Sequence, residues 1–417
     1  MEARVYARQT EEAVRQRIGE EALRGLPGGD GAGWVAEPSS EGILLRPVDA
    51  PPRKLYCEAT TECNLRCRTC LRQSWDEPGG TMSRELFRRV VEGFRQFPSA
   101  ETIQFGGYGE PLCHPEAVDL VAEAARAGLR TELLTNATLL SRPVAEGLLE
   151  AGLDTLIVSL DGASPRTHQD IRRGSELAQV FENVRQLHLL RSARGSPTPE
   201  IGIAFVAMKS NIAELPALRR QSLHLGFSFL FVTNLVPHSP EMADEILYAD
   251  WSSGARQGPR SSIVPAVTLP RLGGHPATLP TLLALSRAGA QVEMPGLELH
   301  RGWPTCRFVQ EGRLAVRWDG AVAPCLPLLH SHIHYVRGMA KRVRAYPVGS
   351  LGTRSLEEVW SEPGYAAFRE RVRAFDFAPC VDCGSCELRE TNETDCCGDS
   401  FPRCGECLWA AGLIQCP

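Results

Sequence analysis

The chain has 417 residues, of which 43% are hydrophobic, 7% aromatic and 23% charged. This length predicts two or three domains, and the composition is that of a globular protein with ample material for a core. The net charge of −5 and the pI near 6.1 argue against a general nucleic-acid binder and a polybasic membrane-surface protein. No apolar run approaches the roughly 20 residues of a membrane span, and the charged amino terminus lacks a signal sequence. We therefore expect a soluble, cytoplasmic protein without nucleic-acid or membrane partners.

Cysteine is unusually abundant and unevenly placed. Of 15 cysteines, three lie at Cys63, Cys67 and Cys70, and eight crowd into residues 380–416. A chain of this length can build its own core and carries no export signal, so a disulfide framework is not needed. Clustered thiols at C-x2-C spacing therefore favour metal or iron–sulfur ligation over disulfides.

The first part of the chain alternates between predicted strands and helices. Residues 1–50 read as an extension with a short amphipathic helix, a Gly/Pro-rich loop and a strand-like segment at 43–48. Residues 51–240 carry six short segments rich in β-branched or aromatic residues, separated by segments with helical periodicity. The predicted strands are 54–60, 102–107, 130–136, 154–162, 200–208 and 227–234, and the predicted helices are about 83–94, 115–127, 141–152, 175–191 and 211–225.

Six β-α repeats predict parallel strands with right-handed crossovers. Because a full barrel has eight such repeats, we expect an α/β fold with a partial, open (β/α)6 TIM-like barrel, and a doubly wound sheet is the alternative. Both folds bind ligands at the carboxyl ends of the strands. The polar motifs described below follow these strand ends.

The second part of the chain has a different composition. Residues 241–300, rich in Pro, Gly and Ser, read as a connector with one helix at about 279–288. Residues 301–417 read as a Cys-rich domain with a hairpin at 314–325, whose turn is Asp319-Gly320, and a helix at about 355–373. The tail that follows has few apolar residues and needs a metal to fold around.

Three cysteines follow the first predicted strand directly, in the sequence ECNLRCRTC. Thiolates of Cys63, Cys67 and Cys70 on one tight loop can hold three irons of a [4Fe–4S] cube, whereas a closed cluster takes four cysteines. The fourth iron would stay open for a substrate, by the logic that separates catalytic from structural zinc sites. A zinc loop is the alternative.

This C-x3-C-x2-C loop resembles that of the radical S-adenosylmethionine (SAM) superfamily, in which it follows the first strand of a partial (β/α)6 barrel. Thr69 stands where many members have an aromatic residue. The resemblance implies a SAM-binding [4Fe–4S] cluster that reductively cleaves SAM to methionine and a 5′-deoxyadenosyl radical, which takes a hydrogen from the substrate. It also implies a reducing electron donor of the ferredoxin or flavodoxin type.

The sequence FGGYGEP after the second strand extends this resemblance. Glu110 and Pro111 match a family element whose backbone receives the amino group of the SAM methionine. Gly106 and Gly107 would let the backbone come close to a ligand. Taken alone, such a glycine-rich turn is more often an ordinary loop.

Other strand ends supply further candidates for SAM binding. Ser159 and Asp161 lie two residues apart, so both side chains point to one side of a strand. The family's Ser reaches polar groups of SAM, and an Arg at the position of Arg172 contacts its carboxylate, with Arg173 as the alternative. Weaker candidates are Asn136 and Asn234, for which loop capping is the alternative.

The spacing Cys306-x13-Gly320-x4-Cys325 resembles the opening of the SPASM-type auxiliary-cluster domain. The resemblance implies one or two auxiliary [4Fe–4S] clusters. The later cysteines depart from the usual spacing, so which of them serves which cluster stays open. The expected ligands are Cys306, Cys325, Cys380, Cys383, Cys386, Cys396, Cys404, Cys407 and Cys416. Cys397 is expected to be spare, and Cys57 and Cys113 are expected to be buried packing residues.

Several phrases, above all FPRCGECLWAAGLIQCP, resemble the radical SAM maturases associated with tungsten-cofactor (aldehyde ferredoxin) oxidoreductases. This implies a tungsten–pterin oxidoreductase or its cofactor as the partner. A peptide- or protein-modifying maturase of the thioether-forming or sulfatase-activating type is one alternative. A ferredoxin-like electron carrier that makes no radical is another, although a carrier needs no SAM pocket.

Two polar segments of the C-terminal region have a less specific pattern. His330, His332 and His334 alternate, so one face of a strand would carry all three; a surface strand is favoured over a role near the substrate. A basic run is expected to be solvated, and binding of a pterin phosphate is the alternative. It comprises Arg337, Lys341, Arg342 and Arg344.

Overall fold

The computed structural model describes residues 34–39, 42–47, 50–75, 77–248, 306–336, 338–378, 387–396, 398 and 401–417. The predicted amino-terminal helix and the helix at 279–288 lie outside these residues, as do Cys380, Cys383, Cys386, Cys397 and Arg337. Strands β1 (Trp34–Ser39) and β2 (Gly42–Pro47) form an antiparallel hairpin, where a strand was predicted at 43–48.

Six parallel strands form the barrel part of the central sheet. They are β3 (Lys54–Cys57), β4 (Thr102–Phe105), β5 (Arg130–Thr135), β6 (Thr155–Ser159), β7 (Glu200–Ala207) and β8 (Phe227–Asn234). All six lie within their predicted bounds and pair in sequence order. In a doubly wound sheet the order reverses at a switch point, so the sequential order confirms the partial barrel.

Helices cover the outer face of this sheet. They are α1 (Arg84–Arg95), α2 (Ala117–Arg126), α3 (Arg142–Ala151), α4 (Pro165–Ile171), α5 (Leu177–Ala193), α6 (Leu215–Ser222) and α7 (Pro240–Ala243). Helix α1 begins at Ser83, whose hydroxyl accepts from the Leu86 amide, and buries Phe87 and Phe94 in the main core. Leu55 and Cys57 of β3 join the same core.

Two helices differ from the predictions for this region. Helix α4 was not predicted, because its seven residues are too few to show a helical apolar period. The helix predicted at 211–225 is shorter, since 3-10 turns at Ile212–Glu214 and Leu223–Leu225 flank α6. None of the helices in the described ranges combines the length and apolar character that a membrane span requires.

The C-terminal region continues the same sheet. Its elements are α8 (Arg307–Gln310), β9 (Arg313–Val316), β10 (Ala321–Ala323), β11 (His332–Val336), β12 (Met339–Val343), β13 (Gly349–Ser350), α9 (Leu356–Trp360) and α10 (Pro363–Ala374). Strand β9 pairs in parallel with β3, and β10 and β13 follow antiparallel, so the sheet has the order β13-β10-β9-β3-β4-β5-β6-β7-β8. Strands β11 and β12 form a separate hairpin. The domain boundary at residue 301 stays a prediction, and the sheet extends across it.

The single helix predicted at 355–373 is wrong. Helix α9 ends at Trp360, and α10 begins at Pro363. A proline has no amide hydrogen to donate and is favoured in the first turn of a helix, so it starts a new helix here.

Candidate active site at the carboxyl ends of the strands

The loop that follows β3 carries Cys63, Cys67 and Cys70 as partly exposed free thiols. The Arg66 amide donates to the Arg173 carbonyl at 3.1 Å, which fixes the loop against the end of α4. The Cys70 amide donates to the Cys67 carbonyl at 3.2 Å and closes a turn between these two cysteines. The sequence therefore folds the three predicted ligands into one compact loop at the carboxyl end of the sheet.

The thiols of this loop lie in each other's electrostatic field. Burial raises the pKa of all three thiols, and burial together with negative charge on Cys67 and Cys63 brings that of Cys70 to about 11. The positive charge of Arg172 acts to lower the pKa of Cys67, because the guanidinium Nη1 lies 4.0 Å from the Cys67 sulfur. A thiol must lose its proton to bind a metal, so this cation suits the donor set to a metal centre. Within the described residues, no three His, Cys, Asp or Glu side chains already stand at the distances of a formed metal site.

The glycine-rich loop after β4 runs very close to the end of β3. Gly107 has a φ of +115°, and a Cβ on Gly109 would lie 2.0 Å from the Thr60 carbonyl oxygen. Neither a left-handed backbone nor such a contact tolerates a side chain, so both positions require glycine. The predicted candidates Gly106, Gly107, Glu110 and Pro111 all belong to this loop.

The Glu110 carboxylate holds the glycine-rich loop to the end of β5. It accepts hydrogen bonds from the Thr135 hydroxyl at 2.6 Å and from the Asn136 and Leu112 amides at 2.7 and 3.1 Å. Burial raises the pKa of Glu110 above its usual value, against these hydrogen bonds. Because its oxygens are engaged, a ligand would meet the backbone of the loop rather than this side chain.

The two predicted asparagines have structural partners. Asn136 Nδ2 donates to Asn64 Oδ1 at 3.0 Å, and its Oδ1 accepts from the Thr138 amide at 2.9 Å, as a loop-capping residue does. Asn234 Nδ2 donates to the Leu413 carbonyl at 2.9 Å and thereby ties β8 to the C-terminal segment. A cofactor role for Asn136 stays a prediction.

Asp161 and Arg172 form a buried ion pair beside the cysteine loop. The Arg172 Nε lies 2.8 Å from Asp161 Oδ2, and Asp161 Oδ1 accepts from the Val206 amide at 2.8 Å. Asp161 is fully buried, whereas Ser159 at the end of β6 is partly exposed. The alternative candidate Arg173 is exposed to solvent. The structure thus brings Arg172, and not Arg173, to the thiols.

A second group of thiols lines a cavity of about 50 Å³ in the C-terminal region, and its members are Cys306, Cys325, Cys404 and Cys407. Burial raises the pKa of Cys325 well above its usual value, and negative charge on the other three thiols also acts to raise it. Four cysteines are the number that a closed cluster takes. The spacing of the cysteines in the sequence does not predict which four of them line one cavity.

Two further predicted ligands, Cys396 and Cys416, lie within the described residues and do not line this cavity. Cys416 accepts a hydrogen bond from Trp409 Nε1 at 3.3 Å, and Cys396 is exposed. Their ligand roles stay predictions. Cys57 is fully buried, as predicted, but Cys113 is partly exposed, so the prediction of a buried packing residue is wrong there.

The predictions for the histidine strand and the basic run need correction. His330, His332 and His334 are buried, with 1%, 2% and 5% exposure, so the favoured surface strand is wrong. Lys341 is also buried and pairs with Glu406 at 3.3 Å, whereas Arg342 and Arg344 are exposed as expected. Hydrogen-bond partners offset the cost of burying His330, His332 and Lys341, whereas His334 is bonded through Nδ1 alone.

Sequence reasoning missed two carboxylates that bind His330. Glu58 follows β3 and lies 2.7 Å from His330 Nε2, and Glu77 lies 2.7 Å from Nδ1. The available signal was Glu58 itself, a charged residue inside the segment 54–60 that was predicted as a strand. A buried charge must have a partner.

Comparisons with known proteins agree with this geometry. Residues 57–192 match the model of the radical SAM superfamily, and residues 306–387 match that of an iron–sulfur cluster-binding domain. The chain is 32% identical over 367 residues to the tungsten-containing aldehyde ferredoxin oxidoreductase cofactor-modifying protein of Pyrococcus furiosus, with 87% of this chain and 96% of that protein covered.

Solved structures share the fold. SuiB of Streptococcus suis bound to S-adenosylmethionine matches 80% of this chain and 71% of its own, with 15% identity and a TM-score of 0.55. Native anSMEcpe with bound AdoMet matches 87% of this chain and 96% of its own, with 15% identity and a TM-score of 0.52. The cysteine loop, the partial barrel and the similarity to a relative over nearly the whole of both chains lead to one conclusion. The chain belongs to the radical SAM superfamily and is an enzyme of that superfamily with a C-terminal iron–sulfur domain.

Proposed function

We propose that this radical SAM enzyme acts in the maturation of a tungsten-cofactor oxidoreductase, by modifying the cofactor or the protein that holds it. The observation that carries the proposal is the similarity to the Pyrococcus furiosus cofactor-modifying protein, which extends over nearly the whole of both chains. A likeness confined to the barrel would support the radical chemistry alone. The similarity to the Pyrococcus furiosus protein also includes the C-terminal region. Subfamilies that share the barrel would differ in that region.

Each part of the candidate site has a role in this proposal. Cys63, Cys67 and Cys70 would hold the cluster, and the backbone of the loop 106–111 would receive the methionine amino group. Arg172 would bind the methionine carboxylate, and Asp161 orients Arg172 through its ion pair. When bound, the cluster supplies SAM with an open iron and the electron that cleaves it to methionine and a 5′-deoxyadenosyl radical. Ser159 would bind polar groups of SAM from the end of β6.

The C-terminal region would hold one or two auxiliary [4Fe–4S] clusters. Cys306, Cys325, Cys404 and Cys407 line one cavity and would form one closed set of ligands. The buried pair of Lys341 and Glu406 lines the same cavity, whose wall is otherwise largely apolar, so this cluster would lie in a mainly apolar environment beside one ion pair. The other predicted cysteines would supply a second cluster.

The proposal includes a reducing environment and an electron donor. Clustered free thiols persist in reducing compartments, which supports a cytoplasmic location. A donor of the ferredoxin or flavodoxin type would reduce the cluster. The partner would be a tungsten–pterin oxidoreductase or its cofactor.

The radical chemistry is tested with anaerobically reconstituted protein, SAM and dithionite. We expect 5′-deoxyadenosine and methionine from the wild type and none from Cys63→Ala. Cys113→Ser is the matched control, because Cys113 is a partly exposed thiol that is not among the three predicted ligands, and a hydroxyl can still accept from the Asn64 amide; the product should be unchanged. If Cys63→Ala formed 5′-deoxyadenosine at the wild-type rate, the assignment of the cysteine loop would be wrong.

The tungsten partner is tested separately. A tungsten oxidoreductase would be produced with and without this enzyme, and its extracted cofactor and its tryptic peptides would be compared by mass spectrometry. We expect a mass difference that requires the enzyme and disappears with Cys63→Ala. Identical cofactor and peptide masses would contradict the proposal, even if SAM cleavage were normal.

A further inference from the structure

A histidine of the C-terminal region is buried between two carboxylates of the barrel region. His330 Nε2 lies 2.7 Å from Glu58 Oε1, and His330 Nδ1 lies 2.7 Å from Glu77 Oε2. His330 is 1% exposed and Glu58 is fully buried, whereas Glu77 is partly exposed. A carboxylate only accepts hydrogen bonds, so an imidazole bound to two of them carries a proton on each nitrogen. We call these three residues the Glu58–His330–Glu77 clasp.

The surroundings stabilise the charged form of this imidazole. Burial alone would lower the pKa of His330, but the hydrogen bonds to Glu58 and Glu77 outweigh it and hold the pKa above its usual value. Burial likewise acts to raise the pKa of Glu77, but the hydrogen bond to His330 and those to Ser331 bring it to about 2. The Trp75 ring covers the imidazole at a centroid distance of 4.0 Å. The charged or titratable groups that face His330 are Glu58, Glu77, Arg317 beyond Glu77, Tyr108 and His332.

The clasp is joined to the glycine-rich loop through one backbone amide. The second oxygen of the Glu58 carboxylate, Oε2, which does not contact His330, accepts a hydrogen bond from the Tyr108 amide at 3.1 Å. Tyr108 lies inside the loop 106–111. A Cβ on the neighbouring Gly107 would lie 3.0 Å from the Glu58 side chain, so loop and carboxylate are in direct contact. Any displacement of Glu58 therefore moves the loop.

The Tyr108 side chain makes a second connection to the C-terminal region. Its hydroxyl donates to the Leu326 carbonyl at 3.3 Å, directly after the cavity ligand candidate Cys325. Its ring contacts Trp75 edge-on at 4.9 Å and His330 at 5.8 Å. Tyr108 is thus linked to the C-terminal region directly by its side chain, and through Glu58 and His330 by its backbone amide.

We propose that the Glu58–His330–Glu77 clasp sets the position of the SAM-binding loop from the C-terminal region. His330 orients Glu58, and Glu58 orients the Tyr108 amide, so the loop backbone is placed for SAM only while the C-terminal region is docked. His330 is a positioning residue, since it acts through Glu58. The inference rests on the proposed function in one respect, namely that the loop 106–111 receives SAM.

SAM affinity and its pH dependence test the clasp in the reconstituted full-length protein. His330→Gln keeps a polar side chain but cannot be charged, and we expect about a tenfold loss of SAM affinity, read from the change that SAM causes in the EPR signal of the reduced cluster. In the wild type, SAM affinity should fall as the pH is raised through the elevated pKa of His330, while the His330→Gln variant should show no such fall.

Glu58→Gln should weaken SAM binding similarly. The double variant of Glu58 and His330 should lose little more affinity than either single variant, because both changes break the same interaction. His224→Gln, at an exposed histidine, is the control.

A second measurement needs neither SAM nor the cluster. Hydrogen exchange of the Tyr108 amide should be faster in His330→Gln than in the wild type, because its acceptor Glu58 is no longer fixed. Faster exchange in the variant, together with a wild-type protein that does not bind SAM, would support the clasp and contradict the proposed function. Unchanged exchange together with unchanged SAM affinity would overturn the clasp. If His330→Gln does not fold, Glu77→Gln removes one carboxylate of the clasp at a partly exposed position, and wild-type SAM affinity and pH dependence in that variant would also overturn it.

Discussion

At the residue scale, Arg172 lies between a buried carboxylate and a thiol of the cysteine loop. Its guanidinium pairs with the fully buried Asp161 and approaches Cys67, and it is itself only 11% exposed. A charge in such a place is stable only with its partner, because the water that would solvate it has been excluded. The same side chain therefore supports both the fold and the thiols that would hold the cluster.

Arg172→Gln should be strongly destabilising. It leaves Asp161 buried without a counter-charge, and removing one partner of a buried pair costs about 3–5 kcal/mol. Urea unfolding measures this loss, and the iron content after reconstitution should fall with it. Arg173→Gln is the control, since the exposed Arg173 should change stability by no more than about 0.5 kcal/mol. Equal stability of the two variants would contradict this reading of Arg172.

Replacing His330 should have a pH-dependent effect on stability. Because the folded pKa of His330 is raised, its contribution is fully present below the unfolded value near 6.5 and is lost as the pH rises through the folded value. We therefore expect His330→Gln to lower the free energy of unfolding by about 1–3 kcal/mol at pH 6, and by less at pH 9. Urea unfolding at both pH values checks this, and an effect that grows with pH would contradict it.

At the element scale, the glycine-rich loop depends on its contact with the segment after β3. Gly109→Ala places a Cβ against the Thr60 carbonyl, which belongs to the backbone and cannot rotate away. We expect a loss of about 1–3 kcal/mol in stability and loss of SAM binding, measured by urea unfolding and by the EPR response to SAM. Gly364→Ala is the matched control, because nothing lies near that position in α10 and the change should be neutral or stabilising. Normal SAM binding by Gly109→Ala would contradict the close approach.

The cavity thiols predict a difference between two C-terminal cysteines. Cys404 lines the cavity, whereas Cys396 is exposed outside it. After reconstitution, Cys404→Ala should lose iron from one cluster, about four atoms per chain, and should still cleave SAM. Cys396→Ala should keep the iron of the cavity site. Full iron content in Cys404→Ala, determined by chemical analysis, would rule out Cys404 as a ligand.

The barrel strands could be predicted because their signals are local. Each is a short apolar or β-branched run that ends in a turn residue, so its existence can be recognised within a few residues of sequence. Helix α4 was not predicted, because its seven residues are too few to show the apolar periodicity of a helix. The split between α9 and α10 is marked by Pro363 and could have been predicted.

The candidate site was predictable only in part, because its pieces meet through the fold. The cysteine and glycine-rich loops each carry a recognisable spacing, but the grouping of Cys306 and Cys325 with Cys404 and Cys407 joins distant segments. Strand β11 buries His332 and His334 and leaves Ile333 partly exposed, the reverse of the usual preference. Burial of the histidines follows from their hydrogen-bond partners, which the sequence does not reveal.

At the scale of the whole molecule, β3 connects the two regions. It is flanked by β4 on one side and by β9 on the other, so the C-terminal region covers what would otherwise be an edge of the barrel sheet. An uncovered strand exposes a row of unpaired amides and carbonyls, which promotes association with other chains. The two regions are therefore joined by backbone pairing as well as by the clasp.

A chain that ends at residue 248 should aggregate. It loses β9 and leaves β3 unpaired on one side. Sedimentation velocity should show oligomers for this truncation, whereas a chain without residues 1–47 should remain like the full-length protein, because the β1–β2 hairpin forms a sheet of its own. A monomeric truncated chain with native secondary structure would contradict this dependence.

The position of β9 has a consequence for how the protein is made. Strand β3 leaves the ribosome early, but its parallel neighbour β9 follows only much later. At about 5–20 residues per second, the roughly 250 residues between them take on the order of 10–50 s to translate. During that interval β3 is unpaired on one side, so this is when the nascent barrel would most need a chaperone to cover its exposed strand edge. Completion of the central sheet, and with it the seating of the glycine-rich loop, must await the last quarter of synthesis.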